Sequence, residues 1–419
     1  MSTTPTTETR RKSTAKAPRR LWPRVLIIIS LGIIFLSAVR VVTGADDISS
    51  SGALNASLAL AVPIGLAGLG GLWSERAGVV NIGLEGMMIL GTWGAGFFGW
   101  QWGPWAGVLG GVALGALGGL LHAFTTVTFG VDHIVSGVAI NILALGATQY
   151  LAAVAFSGKP GGGETRSPSI DDMPSLSVPG IGDPLGDLEA KNWFLISDLA
   201  AFARSLTVNV NALTIIAVAL FVLTWFVLWR TVFGLRLRSC GESPSAAESL
   251  GVNVYRYKYY AVITSGALAG LGGAFLAIVA SSSYRDGQTG GRGYIGLAAM
   301  IFGNWRPGGL GAGAGLFGYT NALQLRRGGE SVHALLLVVA VLVIALAAWQ
   351  LRSGFSRSVA VAGSIGVLVL TWYLLTDEVP EDFTRMTPYI ATLLVLALAS
   401  QRLRMPAADG QIYRRGQAG

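Results

Sequence analysis

Asn81, Glu85, Met88 and Thr92 follow one another at spacings of four, three and four, in a stretch that opens SERAGVVNIGLEGMMILG (residues 74–91). On a helix over 79–99 that spacing sets an amide, a carboxylate and a hydroxyl along one stripe. With Glu75 and Arg76 marking an edge of the membrane, Glu85 stands nine residues deeper, roughly 13 Å along the helix. A carboxylate at that depth requires surroundings other than lipid. Two environments supply them: a translocation cavity, or a buried contact between two chains. Asn141 and Gln149 lie eight residues apart on one side of an apolar segment, and Asn321 and Gln324 lie three apart on another. Amides so placed either hydrogen-bond a polar solute or tie helices together.

A second constellation is mechanical. In GLRLRSCGESPSAAESLGVNVYRYK (residues 234–258), Ser243 is positioned to cap a short helix with Pro244 at its first position. Alternatively, Ser245 and Glu248 form a capping box. Gly251 ends the helix with a left-handed or tight turn. Small Ala246 and Ala247 permit close approach by another surface, and Arg236 and Arg238 face either a protein or lipid head groups. A capped helix of small residues, isolated between two apolar spans, suits insertion into a cleft on a motor protein.

Other chemistries are poorly served. The chain has no GxxxxGK[ST] loop, and Gly313–Gly318 matches GxGxxG in letters only, inside an apolar run with no strand before it. No HExxH or paired Cys/His spacing indicates a metal, and His122, His133 and His333 are scattered. Cys240 is the single cysteine, so an intrachain disulfide is impossible. If ATP is used, another chain hydrolyses it.

The elements that hold these residues are membrane helices. Of 419 residues, 52% are hydrophobic and only 12% charged, against roughly 25% charged in soluble domains. The expected fold is an all-α, polytopic transmembrane bundle of about ten to twelve spans. They read as 25–43, 52–72, 79–99, 104–128, 134–157, 212–230, 259–280, 294–304, 308–325, 333–350, 357–376 and 386–401. The segment 294–304 is too short to cross at 1.5 Å per residue, and Pro307-Gly308-Gly309 separates it from the next. The pair 294–325 is therefore two half-helices, or one broken region lining a cavity. The 58 glycines suit close helix packing in lipid.

The net charge of +8 is a topology signal and not a nucleic-acid footprint. Arg10, Arg11, Lys12, Lys16, Arg19, Arg20 and Arg24 precede the first span, and Arg402, Arg404, Arg414 and Arg415 follow the last. Both termini are expected in the cytoplasm, as a disordered basic tail over 1–24 and a basic tail over 402–419 flanking a membrane domain of 25–401. Arg326 and Arg327 fall on the outer side of this arrangement. The loop 158–211, rich in Pro, Gly and Asp, lies outside as a docking element or a solvated spacer.

Three blocks carry a resemblance: SERAGVVNIGLEGMMILG, the loop beginning GLRLRSCGESPSAAESLGV, and GRGYIGLAAMIFGNWRPGGLGAGAGLFG at 291–318. In order and content they resemble permease subunits of bacterial ABC importers for simple sugars, nucleosides and branched-chain amino acids, over roughly 52–350. SERAG followed by NIGLEGMM is similar to the nucleoside branch. The resemblance implies a subunit of the bacterial cytoplasmic membrane that binds no cofactor itself. A partner ATPase would carry ATP and magnesium. A second related permease (a heterodimer over a homodimer) and an extracytoplasmic binding protein delivering a nucleoside or sugar would complete the assembly. It also implies that Gly241, Glu242, Pro244, Ala246, Ala247 and Gly251 couple to the ATPase, with Arg236 and Arg238 beside them. Asn81, Glu85, Thr92, Asn141, Gln149 and Asn321 are the candidates for the substrate pathway. The alternatives are a simple-sugar permease, or an ATP-independent secondary transporter, which would more often carry intramembrane charge pairs where Glu85 here stands nearly alone.

Overall fold

The computed structural model describes residues 22–352, 356–384, 386, 390 and 403–416. In chain order the helices are α1 (Trp22–Thr43), α2 (Ser51–Arg76), α3 (Leu84–Trp102), α4 (Pro104–Ala123), α5 (His133–Phe156), α6 (Gly182–Ala190), α7 (Ile196–Thr207), α8 (Ala212–Arg230), α9 (Val232–Glu242), α10 (Pro244–Ser249), α11 (Val254–Phe275), α12 (Arg292–Phe302), α13 (Pro307–Leu351) and α14 (Arg357–Leu375). Wider turns of π type continue α4 through Phe124–Thr128 and α11 through Leu276–Ala280. Two short strands, β1 (Ser175–Leu176) and β2 (Val210–Asn211), pair antiparallel in the long loop.

The helical membrane bundle expected from composition is what forms. Among the described residues, six segments are long and apolar enough to cross a membrane outright: Ser51–Arg76, Pro104–Thr128, His133–Phe156, Ala212–Arg230, Val254–Ala280 and Gly329–Leu351. Ser30–Thr43, Arg292–Phe302 and Val359–Leu375 are shorter apolar helices. The expected segments 308–325 and 333–350 are not separate: they fuse into α13, 45 residues without a break. Arg326-Arg327 and Gly328-Gly329 sit inside that helix, because neither pair forces a turn when the flanking residues favour helix. Expected span 386–401 falls almost wholly outside the described residues, as does most of the tail 1–24.

α2 and the 254–280 segment form the centre, each 78% buried along its most apolar stretch, whereas the corresponding stretch of α5 is 22% buried. Glycine makes the central packing possible. A Cβ at Gly91 would run into the backbone of Gly270, and one at Gly115 into Gly266 and Gly270. Backbones this close gain dispersion contacts that lipid cannot compete for.

The loop 158–211 is an ordered unit and not a loose spacer. Asp198 of α7 accepts from Ser37 (2.5 Å) and Ser49, and pairs with Arg40 of α1 at 3.0 Å. The three donors hold the Asp198 carboxyl below the usual carboxylate range although burial opposes it. Arg40, which interrupts the first apolar run, thus has a buried counter-ion 158 residues away.

Candidate functional site

The motif at 74–91 does not form one helix. α2 ends at Arg76, α3 begins at Leu84, and 77–83 is non-helical. The single stripe of Asn81, Glu85, Met88 and Thr92 is therefore corrected: Asn81 precedes the helix. Gly78 causes the break, entering the left-handed region at φ +80°.

Backbone released from a helix inside a bundle needs new partners, and side chains supply them residue by residue. Ser74 Oγ donates to Val79 O at 2.7 Å, and Lys258 Nζ to Gly78 O at 3.3 Å. His122 Nε2 bonds Val80 O at 3.0 Å, while His133 Nδ1 accepts from Val80 N–H at 3.3 Å. Asn81 is fully buried, and its Nδ2 donates to Ser265 Oγ at 2.8 Å. Asn141 Nδ2 donates to Ile82 O at 3.0 Å. The two histidines had no sequence signal, since they are separated in the chain and belong to no motif.

The same motif holds α12 at both ends. Glu85 accepts from Gly291 N–H at 2.9 Å and from Gly293 N–H at 2.7 Å, satisfying the first free amides of α12. A carboxylate there is also favoured by the helix dipole. Space is tight: a Cβ at Gly293 would stand 2.6 Å from the Glu85 backbone. At the other end, Asn304 and Trp305 take positive φ of 54° and 51° and turn the chain into α13. Trp305 Nε1 donates to Glu75 Oε2 at 2.6 Å, and Arg76 donates twice to Trp305 O, at 3.0 and 2.7 Å. The 11 residues of α12 span about 16 Å. Glu85 therefore stands that far from the Glu75 end, close to the expected depth by a different path. The expected broken region near 294–325 is this half-helix with its turn at 303–306.

Other pathway candidates gather partly around it. Asn141 Oδ1 accepts from Gly86 N–H at 2.7 Å, capping α3 from α5, and its Nδ2 reaches Tyr294 Oη at 2.9 Å. Gln149 donates to Asp286 at 2.9 Å, near a cleft of about 260 Å³ lined by Thr165, Arg166, Arg285 and Asp286. Thr92 is buried and turned back onto Ile89 O at 2.7 Å. Asn321 lies half-buried on α13 and shares no hydrogen bond with this group among the described residues.

The coupling-loop candidates form a compact block on the face where α12 ends. Pro244 opens α10 after Ser243, whose side chain makes no capping bond, and Gly251 ends it at φ +81°. Ala247 is buried with Cys240 and Val254, while Ala246 is exposed. Burial pushes the Cys240 thiol up to about 11, which leaves it unreactive. Gly241 packs so closely on the Arg76 carbonyl that no side chain fits, and Glu242 sits 3.8 Å from Arg76. Arg238 is engaged within the chain, donating to Leu228 O at 2.9 Å and lying over Trp229; Arg236 is exposed. The α9–α10 block thus rests directly on the turn that grips α12. Among the described residues, no group of three His, Cys, Asp or Glu side chains is disposed to hold a metal ion.

The sequence family described as the permease component of branched-chain amino acid transport systems matches residues 53–347. The chain belongs to that family. Among its relatives is the guanosine ABC transporter permease protein NupQ of Bacillus subtilis, 34% identical over 86% of this chain and 96% of the relative. The nucleoside ABC transporter permease protein NupC of Lactococcus lactis is 34% identical over 85% and 94%. A putative glucose ABC transporter permease protein of Haloferax volcanii is 33% identical over 87% and 98%. No solved structure matches. As a permease, the chain is a multi-pass membrane protein whose three quoted blocks become the unwound bracket at 74–91, the α9–α10 block, and the half-helix with its turn.

Proposed function

We propose that this permease is the membrane subunit of an ATP-driven nucleoside importer, moved by a separate ATPase that docks on α10. The α9–α10 face is then cytoplasmic, in keeping with Arg230, Arg236, Arg238, Arg256 and Lys258 on that side. One observation carries the reading. Gly241 and Glu242 of the coupling block touch the Arg76 turn that holds Trp305, so a push on α10 reaches the half-helix within two contacts. The substrate path runs past the start of α12, where Asn81, Glu85 and Asn141 converge, and opens outward near Gln149; Thr92 and Asn321 belong to its wall. A second related permease and a binding protein complete the transporter.

The test is uptake in proteoliposomes holding the permease, its partner permease, the ATPase and the binding protein. Nucleoside accumulation that requires ATP is expected. Uptake by the isolated permease down an ion gradient would sink the proposal. The Haloferax relative favours a second reading, a simple sugar as cargo, and equilibrium binding of nucleosides and glucose to the binding protein separates the two.

A further inference from the structure

Residues 403–416 do not hang from the protein as a free basic tail. Ala408 N–H donates to Gly241 O at 2.9 Å, and Ala407 N–H to Glu242 Oε2 at 3.3 Å. Beyond a turn at Gly410 (φ +76°), Tyr413 donates its hydroxyl to Glu248 of α10, and Arg415 Nε pairs with the same carboxylate at 3.0 Å. The Tyr413 ring packs on Tyr255 at 5.5 Å, and Arg404 N–H reaches Asn304 Oδ1 at 2.7 Å. The segment buries Pro406, Ala408 and Asp409 and turns Ile412, Arg414 and Arg415 outward. Its last residues therefore lie beside α10. Nothing in the sequence pattern of 402–419, basic and short, signals this attachment.

We infer that the ATPase docks on a composite face, with α10 as the inserted tip and residues 411–416 as a basic rim. The inference rests on the coupling role proposed above. The tip is uncharged and unusually bare for a surface: Leu250 is 84% exposed, and Ser245, Ala246 and Ser249 are exposed around it. Both carboxylates near the tip are already engaged by the chain, Glu248 by Tyr413 and Arg415, and Glu242 by Ala407 and Arg76. With Arg415 paired to Glu248, the rim's outward positive charge comes from Arg414, with Arg236 and Arg256 exposed on α9 and α11. A partner that covers the tip must meet Arg414 within the same footprint. The complementary partner has a cleft for small residues bordered by acidic side chains. Charge of this kind at an interface edge acts mainly on association and its salt dependence.

The experiment titrates purified ATPase onto the permease complex in nanodiscs of neutral phosphatidylcholine, at low and high salt. Arg414→Glu is expected to weaken binding about tenfold at low salt and to flatten the salt dependence; deletion of 403–419 should weaken it further. Leu250→Asp is the control for the tip. If Leu250→Asp abolishes binding while Arg414→Glu and the deletion bind as wild type, the rim is refuted and the coupling reading stands. If Leu250→Asp has no effect either, the coupling reading itself fails. A defect of Arg414→Glu that appears only in anionic bilayers assigns the arginine to lipid head groups and overturns the inference. Arg414→Glu changes one exposed side chain, so its result holds even if the deletion does not fold.

Discussion

Glu75 and Glu85 lie ten residues apart in one motif and hold opposite ends of the same half-helix, yet they do so by different chemistry. Glu85 accepts two backbone amides of α12, and only glycine at 291 and 293 lets the chain come close enough to offer them. Glu75 accepts from one particular side chain, the Trp305 indole, in a turn that two residues of positive φ make strained. The inner end is a backbone site and tolerates little change in the carboxylate. The outer end is a side-chain site, where Arg76 shares the burden through two further bonds. The half-helix is thus anchored stiffly at depth and held at the α9–α10 face by an arrangement that can be loosened.

That contrast breaks first at Glu85. Glu85→Gln leaves one acceptor for two amides and turns an NH₂ toward the other, at a cost of about 1–3 kcal/mol for the unmet buried group. Uptake in proteoliposomes should fall at least tenfold while α10 still binds the ATPase; wild-type uptake would end the claim that the inner anchor matters. Gly293→Ala attacks the same end from the other side, forcing the Glu85 backbone away, with an expected loss of about 1–3 kcal/mol in thermal stability. Trp305→Phe removes one of three bonds at the outer end and is expected to cost about 1–2 kcal/mol. A greater loss there than for Glu85→Gln would reverse the ranking of the two anchors. Asn141→Ala, which uncaps α3, should cost about 1 kcal/mol.

The smallest effect is a pH dependence at the outer end. Both Asp409 carboxylate oxygens are buried and meet no hydrogen-bond donor among the described residues, with Arg76, Lys258 and Glu75 as the nearby charged groups. Burial pushes the Asp409 carboxyl up to about 7 against an ordinary 3.8. A raised value means that docking of the segment is favoured at low pH and weakens as pH rises through about 7. Amide protection over 403–416, taken relative to the intrinsic base-catalysed rate, should fall from pH 6 to pH 8 in the wild type and not in Asp409→Asn. An equal fall in both would place the titration elsewhere.

The membrane bundle, the short helix at 244–249 and the turn at 303–306 were legible in the chain because each has a local cause: apolar length, Pro at a helix start, Gly at a helix end; the cap expected from Ser243 does not form. A break between the spans 52–72 and 79–99 was legible too, but its place at 77–83 was not, although Gly78 stands in it. Asn81, Glu85, Met88 and Thr92 fit a helical stripe as well as they fit a turn followed by a helix. What favours the turn is the set of partners waiting for its backbone on α4, α5 and α11, among them His122, His133 and Asn141. The fusion of 308–325 with 333–350 went unread for the converse reason, since a pair of arginines resembles a loop whether or not the helix continues through it.

The sequence by itself determined which residues could not face lipid, because hydropathy and charge are properties of single residues and short windows. It also determined the family, and the short helix after Pro244, through motifs whose spacing is local. Only the tertiary structure decided what the unusual residues hold. Glu85 meets α12 more than two hundred positions away, Glu75 meets Trp305 at a like distance, and Arg415 meets Glu248 from 167 positions further along the chain. Such pairings follow from how helices cross, and a crossing depends on many small contacts at once, none of which leaves a mark in the chain where its partner can be read.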